Sequence, residues 1–219
     1  MTISLVQSAK GDGVATATYS AANTLGNLLV VIASDGDGNP SNPTVSDTAL
    51  NRWQRITFEN DLGGPVSTAV LCAVNCKAAA PGNVVTISSS PVGYGFPAVM
   101  IAEFRSTFGA NALTIASGLS SGAGNTGNST SGSCSLNVID LGNILLVGGW
   151  IPDQGGEAAG SGFTLIQDCT TAATLMQYKL VSGPANYSVA ATGSLGPWAI
   201  VGAAFKETPN DSIFYGINQ

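Results

Sequence analysis

Apolar positions along this chain recur with a period of two far more often than with the 3.6 of a helix. Val14-Ala15-Thr16-Ala17-Thr18-Tyr19 alternates, and so does Val84-Val85-Thr86-Ile87-Ser88 apart from one doubled valine, as expected for strands with one buried face. Leu28-Leu29-Val30-Val31-Ile32-Ala33 and Ile144-Leu145-Leu146-Val147-Gly148-Gly149 are short unbroken apolar runs, the signature of strands covered on both faces. Ala112-Leu113-Thr114-Ile115 reads as one further strand. Turn signals interrupt these runs at close spacing: Gly36-Asp37-Gly38-Asn39-Pro40, Leu62-Gly63-Gly64-Pro65, Pro81-Gly82-Asn83, Ser182-Gly183-Pro184 and Ser194-Leu195-Gly196-Pro197. No window carries a capped helical stripe. The pattern predicts an all-β fold, an antiparallel β-sandwich of short strands.

The chain also resembles itself. Leu25-Gly26-Asn27-Leu28-Leu29-Val30 returns as Leu141-Gly142-Asn143-Ile144-Leu145-Leu146. Arg52-Trp53-Gln54-Arg55-Ile56 is answered by Gly162-Phe163-Thr164-Leu165-Ile166, and Ala80-Pro81-Gly82-Asn83-Val84 by Gly183-Pro184-Ala185-Asn186-Tyr187. The strand from Pro97 to Arg105 is answered by the one from Pro197 to Lys206. Two sequence-similar halves, residues 1–105 and 133–206, are thus expected to share one core in a jelly-roll-like sandwich domain spanning 1–206. Two separate small sandwiches are the alternative. The segment 106–132 joins the halves; its Gly/Ser/Asn/Thr tract reads as an ordered surface loop or a flexible linker. Residues 207–219 read as a C-terminal tail, with Glu207-Thr208-Pro209-Asn210-Asp211-Ser212 breaking the last strand.

Val45-Ser46-Asp47-Thr48-Ala49-Leu50-Asn51-Arg52-Trp53 resembles the V-S-D-x-x-G-N-x-W hairpin that follows a G-N-L-L-V-V strand in jelly-roll modules of uncharacterised phage virion and bacterial surface proteins. Ala102-Glu103-Phe104-Arg105-Ser106 resembles that family's A-E-Y-S-G strand end, and Ser161-Gly162-Phe163-Thr164 its G-S-G-F-T turn. The likeness runs over most of residues 3–206. Leu50 stands where the pattern has Gly, and Arg105 where it has Ser, which leaves the hairpin's turn type open. These motifs are structural, so the resemblance implies architecture rather than catalytic residues.

Composition narrows the function. The chain has 219 residues, 7 Lys+Arg, 13 Asp+Glu, no His and a net charge of −6. Without His there is no Ser-His-Asp or Cys-His catalysis and no His-ligated zinc. So few basic residues argue against nucleic acid, whose binding depends on phosphate neutralisation. No apolar stretch reaches the length of a membrane-spanning helix, so no membrane contact is expected. The opening Met-Thr-Ile-Ser-Leu-Val lacks the charged and apolar regions of a signal peptide. The expected location is therefore a virion assembled in a host cytoplasm, or extracellular if a signal was trimmed. Cys72, Cys76, Cys134 and Cys169 read as reduced, small apolar residues. Cys72 and Cys76, four apart in a strand-like run, are expected on one face.

Candidate chemistry is sparse. Asp35, Asp37 and Asn39 alternate with glycines and could hold calcium, with Asp47 or Asp61 completing the set, although the twelfth position lacks the bidentate Glu of an EF-hand; the same residues also make an ordinary turn. Glu103 lies inside an apolar strand and is expected to pair with Arg105, Arg55 or Arg52. Trp150, Tyr94 and Phe96 are the aromatics expected at the surface, in contact with glycan or a partner; Trp53 and Trp198 are expected in the core. Ile213, Phe214, Tyr215 and Ile217 form an apolar tail that either folds back or reaches a neighbouring subunit. Low charge suits buried subunit contacts. The leading expectation is a non-enzymatic structural protein of a phage particle, such as a capsid decoration (cement) protein. It would be a homo-oligomer, a trimer by expectation, bound to a capsid or other virion protein. A carbohydrate-binding module is the alternative, by fold analogy. An enzyme ranks last, because no basic residue clusters with carboxylates.

Overall fold

The structure, a computed structural model, describes residues 3–36, 43–61, 66–88, 95–117, 122–153 and 155–208. These residues form fifteen strands and no helix, and every pairing is antiparallel. In chain order the strands are β1 (Ile3–Asp12), β2 (Thr16–Thr18), β3 (Leu28–Asp35), β4 (Thr44–Asp47), β5 (Gln54–Asn60), β6 (Ser67–Ala73), β7 (Val84–Ser88) and β8 (Pro97–Ser106). They continue as β9 (Leu113–Ile115), β10 (Gly122–Val138), β11 (Asn143–Pro152), β12 (Ala158–Ala159), β13 (Thr164–Cys169), β14 (Thr174–Ser182) and β15 (Ala185–Glu207).

Two five-strand paths carry the fold, β1-β8-β3-β6-β5 and β10-β15-β11-β14-β13. They face each other across the largest apolar cluster. Leu28, Val30 and Ile32 of β3 and Met100 and Phe104 of β8 meet Leu145 and Val147 of β11 and Val201 and Phe205 of β15 there. The pleat sends alternate side chains the other way. Leu29, Val31, Val99 and Ile101 pack under a small third sheet ordered β2-β7-β4. Ile144, Leu146, Trp150 and Ile200 pack under the early part of β15 and the late part of β10, which fold back over the second sheet. Four layers result. The inner two are buried on both faces, so β3 and β11 could be read as unbroken apolar runs.

Three expectations need correction. The Gly/Ser/Asn/Thr tract is not a loop: most of it is β10, paired residue by residue with β15 from Gly122↔Ala203 to Val138↔Ala185 around one irregularity. Small polar residues favour coil locally, but partners distant in sequence override that preference. Glu207 is likewise no strand breaker; it ends β15, is buried, and pairs with Leu113. Cys72 and Cys76 do not share a face. Asn75 takes a left-handed φ of 56° just after β6, so Cys72 joins the central cluster and Cys76 the one under the small sheet.

Candidate functional site

The end of the molecule where β8 and β15 finish is organised by two buried carboxylates. Glu103 is fully buried in β8. Its Oε2 accepts from Gln7 Nε2 at 2.6 Å and Asn23 Nδ2 at 2.8 Å; its Oε1 accepts from Asn27 Nδ2 at 2.6 Å and the Thr24 amide at 2.9 Å. Neutral amides, and not the expected arginine, hold this carboxylate, because Arg105 turns outward to Ser4 and Arg52 and Arg55 start at another edge. Asn23 also accepts from Asn83 Nδ2 at 2.8 Å, and Asn83 Nδ2 donates to Asp47 Oδ2 at 3.2 Å. Asp47 takes two further bonds from Asn51, backbone at 2.8 Å and side chain at 2.6 Å. Between them Leu50 adopts φ 56°, so leucine occupies the left-handed position that the resembling hairpin gives to glycine. This ribbon ties the small sheet to the first large one. Burial, with Glu103 and Asp47 nearby, drives the Tyr19 hydroxyl and the Cys76 thiol away from ionisation, Cys76 to about 12.

The second carboxylate, Glu207, accepts from Ser106 Oγ and from Asn143 Nδ2 at 2.7 Å. Asn27 and Asn143 stand in the same position of the Leu-Gly-Asn motif, after Gly26 and Gly142, whose φ values of 83° and 89° only glycine adopts without cost. Three backbone bonds gather the surrounding loops: Asn111 to the Gly26 carbonyl at 2.9 Å, Thr208 to Ala112 at 2.7 Å and Ile139 to Ser117 at 3.2 Å. Lys206 reaches Asp140 at 2.8 Å. On this frame stand four exposed apolar side chains: Leu25 at 60%, Phe108 at 44%, Ile139 at 62% and Leu141 at 79%. Sequence reading missed them. The available signal was the leucine repeated before each Gly-Asn turn, outside either strand.

The opposite end holds Asp35 and Phe96. Asp35 is buried there, and its Oδ1 accepts from the Phe96 amide at 3.1 Å, so the structure brings these two together. Phe96 is exposed, as expected. Tyr94, Asp37, Asn39, Ile213, Phe214, Tyr215 and Ile217 lie outside the described residues. Asp47 belongs to the ribbon with Asn83 instead of joining Asp35. Among the described residues no three His, Cys, Asp or Glu side chains cluster as metal ligands.

Trp150 is not a surface platform. It is fully buried and stacks on Trp198 with ring centroids 5.0 Å apart and planes at 27°. The loop after Trp150 is polar, but the cover comes from remote strands: a Cβ at Gly132 would lie 2.4 Å from the Trp150 ring and 2.7 Å from Trp198. Trp198 is core, as expected, and its Nε1 donates to Ser129 at 3.0 Å. Above it runs a shallow groove of about 440 Å³ lined by Asn125, Ser131, Ser161, Ser188 and Thr192, with no charged residue. Trp53 is only half-buried, at the margin of its cluster. All four cysteines are buried and free, and burial pushes each thiol up to about 12. No family model matches the chain, and no curated protein matches it.

Proposed function

We propose that this chain is a non-enzymatic assembly protein, a jelly-roll-like sandwich of two repeated halves that works through contacts between its own copies and with a particle surface. Support for the repeat comes from matched detail. The two five-strand orders correspond position by position. The pairing β5–β6 skips a residue between Arg55 and Thr57, and β13–β14 skips one between Leu165 and Gln167. Each half closes a Gly-Asn turn onto a buried glutamate at the end of its long strand. The mixed cluster between the large sheets favours one domain over 1–206 rather than two separate sandwiches.

The observation that carries the function is the apolar end face of Leu25, Phe108, Ile139 and Leu141. In a chain with only 9% charged residues, four of the ten large exposed apolar side chains among the described residues stand on a frame fixed by buried hydrogen bonds, which suits an interface between proteins. By sequence, the apolar residues Ile213 to Ile217 follow the strand that ends on this face. Together with the resemblance to phage virion modules, this favours a decoration or other virion protein, homo-oligomeric and seated on a capsid protein. The test is solution mass by light scattering over a concentration series, on the full chain and on Leu25→Ser/Leu141→Ser. The native chain is expected to form an oligomer, a trimer in the simplest case, and the variant to stay monomeric with unchanged circular dichroism. A native chain that is monomeric at every concentration and fails to decorate particles would overturn the reading.

The groove over Trp198 supports the second reading, a carbohydrate-binding module. Hydroxyls and amides over an indole floor suit a neutral sugar chain; loss of retardation on neutral polysaccharide gels after Ser131→Trp would support it, and no retardation of the native chain would remove it.

A further inference from the structure

Cations are scarce here, and two of them sit together. Of 7 Lys+Arg in the chain, Arg52 and Arg55 line the grooves at Trp53, and Lys77 is tied to the same segment through its backbone, which donates to Asn51 Oδ1 at 2.7 Å. All three are exposed. The ion pairs among the described residues are Lys10–Asp168 and Lys206–Asp140, so these three have no anionic partner there. Trp53 divides two open grooves. One, of about 300 Å³, is lined by Thr44, Val45, Trp53, Arg55 and Leu71; the other, of about 450 Å³, by Arg52, Trp53, Gln54 and Val74. The Arg55 guanidinium is held 5.8 Å from the Phe58 ring centroid.

Folding does not call for this arrangement. The matched strand β13 has the same bulge, and its sequence there, Gly162-Phe163-Thr164-Leu165, has no charge of its own; one cation, Lys179 of β14, lies 5.6 Å from the Phe163 ring centroid. Two arginines in the grooves on either side of a half-buried indole, in a chain of net charge −6, are therefore more cation than the matched position of the repeat carries.

We propose that the Trp53 cleft binds an acidic polysaccharide of low charge density. The indole face takes a pyranose ring, Thr44 and Gln54 meet its hydroxyls, and Arg52 and Arg55 meet isolated carboxylates. The grooves open on both sides of the ring, so a chain can pass across it. A densely charged polymer such as nucleic acid fits worse, since two arginines neutralise few phosphates and the remaining surface repels them. The site shares no residue with the apolar end face, although the two are neighbours: the Gly26 amide, next to Leu25, bonds the Cys76 carbonyl, next to Lys77, at 2.8 Å.

The test is affinity electrophoresis of the full chain in gels containing hyaluronan, which carries a carboxylate on alternate sugars, with dextran as the neutral control. Hyaluronan is expected to retard the protein and dextran to leave it unmoved. Arg52→Gln/Arg55→Gln, at exposed positions, should weaken retardation roughly tenfold, as expected for two exposed ion pairs, with unchanged circular dichroism. Trp53→Phe should weaken it while keeping the fold, and Leu25→Ser/Leu141→Ser should keep it whatever its oligomeric state. No retardation, equal retardation of the arginine variant, or equal binding to polyglutamate or single-stranded DNA would each overturn the proposal.

Discussion

Replacing Glu103 by Gln keeps its shape and removes its charge, and the hydrogen-bond geometry sets the cost. The carboxylate accepts four N–H donors, two on each oxygen. A glutamine amide must place its NH₂ on one of those sides. On the Oε1 side it faces the Thr24 backbone N–H, which cannot turn away. On the Oε2 side it faces Asn23, whose own oxygen is engaged by Asn83, so flipping that amide breaks a second bond. Either way at least one buried donor loses its acceptor, and the surviving bonds lose their ionic partner. With about 1.5–3 kcal/mol for a bond to a charged group and about 1–3 kcal/mol for an orphaned donor, less the saving from not burying a charge, the net loss is about 3 kcal/mol. At roughly 2 kcal/mol per molar urea, the midpoint should fall by about 1.5 M. Asp168→Asn is the control: it breaks an ion pair of 3.7 Å between side chains 35% and 53% exposed, worth under about 0.5 kcal/mol. Urea titration followed by tryptophan fluorescence measures both. A Glu103→Gln midpoint within about 0.3 M of the native value would refute the ribbon as the lock between the two sheets.

Gly132→Ala pushes a methyl group into two stacked indoles and should cost about 2–3 kcal/mol, read as a lowered melting temperature with altered near-ultraviolet dichroism. Partial burial works to raise the pKa of Asp12, but bonds from Thr171 and Thr170 outweigh it and leave it below 3.8; Lys206 and Ser117 do the same for Asp140. Both groups therefore add stability that is complete above about pH 3.8 and disappears as pH falls through the lower folded values, so Asp12→Asn should flatten the acid limb of a melting-temperature profile. The cysteines behave oppositely: burial lifts the thiols from 9.0 to about 12. The stability they contribute is complete below pH 9 and is lost as pH rises toward 12. Iodoacetamide at pH 8 should label the native chain slowly and all four thiols after unfolding.

How much of the fold is legible in the sequence depends on which interactions are local. The runs at Leu28 and Ile144 announce strands covered on both faces because burial is written directly into their residues. The paired Gly-Asn turns are legible for the same reason, since a left-handed φ selects glycine. By contrast, β10 is built from residues whose local preference is coil; it exists because β15 offers a ladder and the indoles of Trp150 and Trp198 require Gly127 and Gly132 against them. The burial of Trp150 is hidden likewise, its cover arriving from Gly132 and Val189, distant in sequence. Glu103 is recognisable as needing a partner, but which donors reach it depends on loops whose positions only the assembled sheets define. The apolar end face escapes because its leucines follow no period; their exposure is a property of where two loops emerge.

The two outer layers are attached differently. In the first half the chain enters the outer layer through a break: β1 ends at Asp12 before β2 begins at Thr16. In the second half β10 and β15 each run through both layers without interruption. The first outer sheet is therefore fastened by side-chain bonds, from Asp47 through Asn83 and Asn23 to Glu103, while the second is fastened by two strands it shares with the layer below. Lifting the first breaks the Glu103 ribbon, whereas lifting the second bends β10 and β15 together where their register shifts between Ser129 and Ser131. One architecture thus holds its two outer layers by different chemistry, buried amide–carboxylate bonds on one side and continuous backbone on the other.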